Sequence, residues 1–208
     1  MTSWLDPDPE PLIRALSFLP IAVCSVIGFG ITLWKWRQLR EPPLAPDIWV
    51  RTRDAIQDGE LAAATRALGA DRSRAARLTR TALQWASTRR GHLDWRLQTA
   101  GAAHIRELDY GLGTLGLIAT LGPLFGLLGT VIGITVVFNH LAASGALGTP
   151  GDLAGGIGTA LHTTIAGLMV GVLALVCHRY LAARATLVIG ELEAVAAELV
   201  DLIEPDRS

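Results

Sequence analysis

The sequence is short of charge, of cysteine and, over long stretches, of any ionisable side chain. Charged residues make up 18% of the 208, against about 25% in an average soluble chain. That deficit weighs against a soluble single-domain enzyme. The two cysteines, Cys24 and Cys177, each sit inside an apolar run, which excludes a disulfide scaffold and a cysteine-based zinc cluster. The net charge of -1 shows no basic excess that would point to nucleic acid. No lysine or arginine lies between Arg106 and Arg179, and no carboxylate lies between Asp109 and Asp152 or between Asp152 and Glu191. A Gly-rich phosphate loop followed by lysine, a His-x-x-x-His pair and a Ser-His-Asp set at matching depth are all missing. The sequence therefore reads as that of a non-enzyme, with no catalytic residue, no cofactor and no metal site expected.

What is there is hydrophobic. Half the residues are apolar, and 22 glycines accompany six tryptophans, with a mean hydropathy of +0.39. Glycine is common in membrane helices and tryptophan at their interfaces. A bilayer span needs about 20 mostly apolar residues, and three stretches qualify. The expected class is an all-α membrane protein with three transmembrane helices. Residues 1–11 are acidic and Pro-broken, so they read as a short external tail, without the basic start or cleavage site of a signal peptide. The first span is 12–34, with Arg14 near its outer end and Pro20 as a kink or a first-turn residue. Trp34 and Trp36 with Lys35, Arg37 and Arg40 form an aromatic and basic collar.

A stiff EPPLAP linker then leads into a polar, arginine-rich cytoplasmic helical domain over 35–109. Apolar positions recur at helical spacing in Leu61–Leu68 and Ala75–Trp85, punctuated by Gly69 and Gly91. Its last helix is expected to start near Asp94 and run unbroken into the second span, 110–138. Residues 139–156 read as an external loop of small residues, 157–178 as the third span, and 179–208 as a cytoplasmic C-terminal helix and tail that turns acidic. The positive-inside rule puts the N-terminus outside and the C-terminus inside. It also accounts for Arg66, Arg72, Arg74, Arg77, Arg80, Arg89 and Arg90 as an orientation signal on a solvated face, in contact with lipid headgroups at most, and no nucleic-acid partner is expected.

Two groups of residues inside the spans carry the functional reading. Gly122 and Gly126, Gly129 and Gly133, and Gly167 and Gly171 are each four apart, the spacing that lets helix backbones approach closely. Helix packing alone is a sufficient reading of each. Pro123, mid-span, frees a backbone carbonyl and reads as a kink or a functional break. The polar groups at membrane depth are threonines: Thr114, Thr120, Thr130, Thr135, Thr159, Thr163 and Thr164. An isolated threonine in a helix bonds back to its own backbone. Thr130 and Thr164 stand out because each follows a face rich in small residues, and a ring of such hydroxyls from several subunits would line a narrow polar path. Transmembrane proton relays normally use a carboxylate or a histidine. His162 lies near the outer end of the third span, and His140 and His178 at interfaces. His162 reads as an interfacial or packing residue, so a proton path would need its carboxylate from a partner.

The runs Gly122-Pro123-Leu124-Phe125-Gly126-Leu127-Leu128-Gly129-Thr130-Val131-Ile132-Gly133-Ile134 and Gly156-Ile157-Gly158-Thr159-Ala160-Leu161-His162-Thr163-Thr164-Ile165-Ala166-Gly167-Leu168 resemble the two motifs of the MotA/TolQ/ExbB proton-channel family, most closely its ExbB/TolQ branch. The resemblance covers roughly residues 100–180 by motif and the rest by layout. It implies a stator subunit of an ion-motive-force-driven inner-membrane motor. The subunits would form a homo-oligomeric ring, a pentamer in that family. An ExbD/TolR-like single-span partner would supply the intramembrane Asp, and a TonB/TolA-like protein would receive the work. The resemblance places the family's pore threonines on Thr130 and Thr164, with Thr159 and Thr163 beside them on the ion path. Many ExbB and TolQ chains have Glu where this one has Thr159, which leaves sodium open as the ion. The resemblance also implies a bacterial inner membrane, energised transport or envelope processes, and three spans where MotA has four.

Three readings compete on the sequence alone: the stator, with a MotA-like or sodium-driven variant as its near neighbour; a membrane scaffold held by glycine seams; and a self-contained channel gated by His162.

Overall fold

The computed structural model describes residues 9–40, 44–88, 106–144 and 150–203. All regular structure among them is helical. The helices are α1 (Pro9–Leu39), α2 (Pro46–Gln57), α3 (Leu61–Leu68), α4 (Arg74–Thr88), α5 (Leu112–Ser144) and α6 (Pro150–Ile203). Three helical stretches are long and apolar enough to cross a membrane: Phe18–Leu39, Arg106–Ala142 and Leu153–Ile203. The chain is an all-α protein with three membrane-spanning helices. It divides into two compact units, Met1–Trp34 with Gly111–Tyr180, and Lys35–Tyr110 with Leu181–Ser208. Both α1 and α6 contribute to each.

The first unit holds the apolar helices. Its surface carries Val26, Phe29, Leu127, Val131, Ile165, Met169 and Val176 exposed, a density of large apolar side chains that water does not tolerate and that lipid or a neighbouring subunit would cover. Gly28 packs α1 on α5: a methyl there would sit 3.6 Å from Ile118, ordinary contact.

The second unit is a small helical domain with a core of its own. Ile56, Ala64, Leu68, Ala76, Leu78, Ala82, Leu83, Leu192 and Leu199 are buried together, recurring at the three-to-four spacing of an apolar helical stripe. The helix ends are set by local residues. Pro46 opens α2, where a missing N–H costs nothing. Gly59, at φ 74°, closes it: Glu60 N–H reaches Ala55 O at 2.9 Å and Gly59 N–H reaches Ile56 O at 3.0 Å, the paired bonds of a Schellman cap. Ser73 caps α4, its Oγ accepting Ala76 N–H at 3.2 Å, while Asp71 Oδ1 accepts Ser73 N–H at 2.7 Å.

The arginine stretch is only in part a solvated face. Arg66 and Arg72 are exposed, but Arg74 is buried and donates to Gln38 O at 2.5 Å. Arg80 donates to Gly69 O at 2.9 Å and Asp71 O at 2.6 Å, so it satisfies carbonyls of the α3–α4 turn. Arg89, Arg90 and Gly91 lie outside the described residues.

Lys35 departs from the collar read for it. Trp34 and Trp36 are exposed, and Arg40 stacks 4.2 Å from the Trp36 ring centre, but Lys35 is fully buried. Its Nζ donates to Gln38 Oε1 at 2.8 Å, Glu107 O at 2.8 Å and Leu108 O at 3.0 Å. Those carbonyls belong to a helical turn over 106–109 that ends at Tyr110 and Gly111. Gly111 has φ 86°, a left-handed conformation that stops a helix. The helix expected to run unbroken into the second span is thus interrupted there, and an ammonium sits on the last carbonyls before the break, where the helix dipole favours a cation. Its expected start near Asp94 lies outside the described residues.

Two boundaries also differ. Helix α1 begins at Pro9, inside the segment read as an unstructured tail. The segment 139–156, read as a loop, is helical at both ends: α5 continues to Ser144 and α6 starts at Pro150. Small residues such as Ala142 and Ala143 read as loop composition but are good helix formers.

Candidate functional site

Helices α5 and α6 meet along a seam of small residues, and the site lies in it. A methyl on Gly122 would stand 3.1 Å from Gly167 O, and one on Gly126 3.0 Å from Thr164 Cα. One on Gly133 would stand 2.7 Å from Ala160 Cβ, and one on Gly156 2.5 Å from Val137 Cγ2. As the numbers rise along α5 they fall along α6, so the two run antiparallel. Gly167 is the tightest point against backbone, with Gly122 O 2.5 Å and Gly126 Cα 2.7 Å from where its β-carbon would be. Gly171 makes the slot for Pro123, whose Cδ would lie 2.5 Å from the added methyl. Pro123 does not end the helix, since α5 continues through it to Ser144. It has no N–H for Ala119 O, and that carbonyl lies against Gly171.

This close approach brings three threonines together. Thr130 is on α5, and Thr163 and Thr164 are consecutive on α6. Thr130 Oγ1 lies 3.2 Å from Gly126 O, 3.3 Å from Ala160 O and 3.4 Å from Thr163 Oγ1. It also pairs with Thr164 Oγ1. Thr163 Oγ1 reaches Ala160 O at 2.7 Å and Gly126 O at 3.2 Å, and Thr164 Oγ1 reaches Gly126 O at 3.1 Å. Thr130 and Thr163 are buried, 8% and 4% exposed, whereas Thr164 is only half-buried. Thr164 is therefore the one of the three that keeps some exposure.

Thr159 is not part of it. Its Oγ1 donates to Gly155 O at 2.9 Å on its own helix. Thr120 and Thr135 do the same, to Gly116 O at 3.2 Å and Val131 O at 2.8 Å, the behaviour expected of isolated threonines. His140 and His162 are exposed. His178 packs on Gly116, whose added methyl would stand 3.3 Å from its ring, and its Nδ1 is buried with no hydrogen-bond partner among the described residues. Among the described residues no group of His, Cys, Asp or Glu is arranged to hold a metal ion.

The hydroxyls converge on two backbone carbonyls, Gly126 O and Ala160 O, which no side-chain inventory reveals. Gly126 is read from sequence as a packing residue; here its missing side chain also opens its carbonyl to α6.

A family model described as the MotA/TolQ/ExbB proton channel family matches residues 70–194, more than half the chain. The chain belongs to that family. Membership agrees with both motifs, which face each other across the seam, and its ExbB-like character is shared by curated relatives. The chain is 29% identical over 166 residues to a putative biopolymer transport protein ExbB homolog of Methanothermobacter thermautotrophicus, covering 79% of this chain and 58% of that protein. It is 46% identical over 66 residues to biopolymer transport protein exbB1 of Vibrio cholerae, 32% of this chain and 29% of that one. It is 33% identical over 104 residues to biopolymer transport protein ExbB of Neisseria gonorrhoeae, 50% of this chain and 47% of that one. The chain thus spans less than two thirds of the length of each. What the MotA/TolQ/ExbB membership adds to the geometry is a role class: a multi-pass membrane protein of the ExbB kind.

Proposed function

We propose that this protein is an ExbB/TolQ-like stator subunit and no enzyme, and that it works as part of an ion-motive-force-driven motor in a bacterial inner membrane. Several copies, five by family resemblance, form a ring. An ExbD/TolR-like single-span partner supplies an Asp at the depth of Thr130 and Thr164. Protons moving through that contact drive transport or envelope work on a TonB/TolA-like protein. The N-terminus lies outside and the arginine-rich unit inside.

One observation carries the reading. A hydroxyl cluster sits in the seam of two long apolar helices, and along them no carboxylate lies between Asp109 and Asp152 or between Asp152 and Glu191. Hydroxyls relay a proton but do not store one near neutral pH, because they do not ionise there. A transmembrane proton step needs a group that titrates, so the cluster is half of a device. The half-buried Thr164 is the hydroxyl available to a carboxylate arriving from a partner helix.

The test is the native mass and ion flux of the complex, co-expressed with an ExbD/TolR-like single-span protein, purified in mild detergent and reconstituted into vesicles. Five copies per complex and proton uptake that vanishes in Thr164→Val, with assembly intact, are expected. A monomer or dimer under co-expression, or full flux in that variant, would overturn the reading.

A further inference from the structure

The cluster holds more acceptors in reach than three protons can serve, and the buried Thr163 decides how they are shared. Thr130, Thr163 and Thr164 have one hydroxyl proton each. Gly126 O and Ala160 O each commit one lone pair to the helix N–H four residues on, which leaves one acceptor site apiece. Thr130 and Thr163 both reach both carbonyls. Thr164 reaches Gly126 O and the Thr130 hydroxyl. Of the arrangements these contacts allow, two set opposite polarities at the outer hydroxyl.

With Thr163 donating to Ala160 O, that carbonyl is closed to Thr130. The Thr130 proton can then go to Gly126 O or to Thr164, and in the second case Thr164 is free to donate outward. With Thr163 donating to Gly126 O, Ala160 O opens and takes the Thr130 proton. Thr164 then donates inward to Thr130 and presents lone pairs outward. The first arrangement suits a carboxylate outside the cluster, and the second suits a carboxylic acid.

We propose that Thr163 is a positioning residue: by turning its hydroxyl between Ala160 O and Gly126 O it sets the polarity of the Thr130–Thr164 pair for the two protonation states of an incoming carboxyl group. This rests on the ion-path reading above. On this proposal Thr163, a residue 4% exposed, acts through the other two. No bond other than hydrogen bonds changes in Thr163 itself.

The experiment compares proton flux into vesicles holding the full complex with its single-span partner, in H2O and in D2O. The variants are Thr163→Val, Thr163→Ser, Thr163→Ala, Thr130→Val and Thr164→Val. Valine keeps the shape of threonine and loses the hydroxyl. Thr163→Val is expected to keep the native mass, to slow flux roughly fivefold, the scale of one lost hydrogen bond, and to change the solvent isotope effect. Thr163→Ser should restore both. If the valine variant does not assemble, serine against alanine, a pair that differs by the hydroxyl alone, makes the same comparison. Flux and isotope effect unchanged without the Thr163 hydroxyl, while Thr130→Val and Thr164→Val lose flux, would overturn the proposal and leave the ion path standing. Full flux in all the variants, or none in the native complex, would remove the ion path and the proposal together.

Discussion

Thr163 occupies the space that a side chain at Gly129 would need: its Oγ1 lies 2.8 Å, and its Cβ 2.9 Å, from the position of a β-carbon there. Glycine at 129 and threonine at 163 are therefore one packing decision on two helices. Gly129→Ala is expected to push Thr163 off its carbonyls and separate α5 from α6 locally. Overpacking of this kind costs about 1–3 kcal/mol. The check is a thermal melt in detergent of Gly129→Ala, of Thr163→Ala, which removes the nearest atom, Oγ1, and of the double variant. Relief of the cost of Gly129→Ala in the double variant is the expected sign of direct coupling, and additive effects would show that the two positions act apart.

The glycines of the chain are not equivalent, and one pair separates their roles. A β-carbon on Gly167 would meet the Gly122 carbonyl at 2.5 Å and the Gly126 backbone at 2.7 Å, while one on Gly190, on the same helix, would meet nothing within 4 Å. Gly167→Ala has only backbone to displace, so it is expected to lose native assembly or melt several degrees lower. Gly190→Ala removes a flexible residue from a helix interior and should stabilise by about 0.5–1 kcal/mol. Parallel melts and native masses check the contrast, and equal effects would mean that the seam is not packed as the structure has it.

Much of this was legible in the sequence. Three apolar runs give three long helices, because a span is a property of composition over many residues. The helix end at Gly69 is legible because a glycine's chemistry is local, whereas the ends at Gly59 and Ser73 are not singled out by the sequence. The four-residue spacing of the glycines points to a seam, and the two motifs, read as a family resemblance, point to Thr130 and Thr164. Other features depend on where a second helix falls. Periodicity alone does not distinguish Thr159, bonded to its own backbone, from Thr163, wedged against Gly129. The acceptors of the cluster are backbone carbonyls, present at every residue and therefore invisible as a motif. Its sequence neighbours place Lys35 in an aromatic and basic collar, and the carbonyls of Glu107 and Leu108, distant in sequence, are what it meets in its buried position.

That lysine gives the last prediction. Lys35 Nζ donates to the Gln38 amide oxygen and to the carbonyls of Glu107 and Leu108, just before the break at Gly111. Gln38 is held in turn, its Nε2 donating to Glu107 Oε1 at 3.1 Å and its carbonyl accepting from Arg74. Lys35→Met keeps most of the length of the side chain and removes the donors. Two helix-terminal carbonyls then lose a charged partner, at a cost of about 1.5–3 kcal/mol for such a bond and more where the acceptor stays dry. Lys35→Arg is not a conservative rescue, because a planar fork does not fit a site shaped for a compact ammonium. Both variants are expected to raise amide hydrogen exchange over Arg106–Gly111, methionine more than arginine, while the α2–α3 turn at Gly59 keeps its protection. Exchange unchanged at Arg106–Gly111 in Lys35→Met would show that the helix break holds without the lysine, and that the glycine alone sets it.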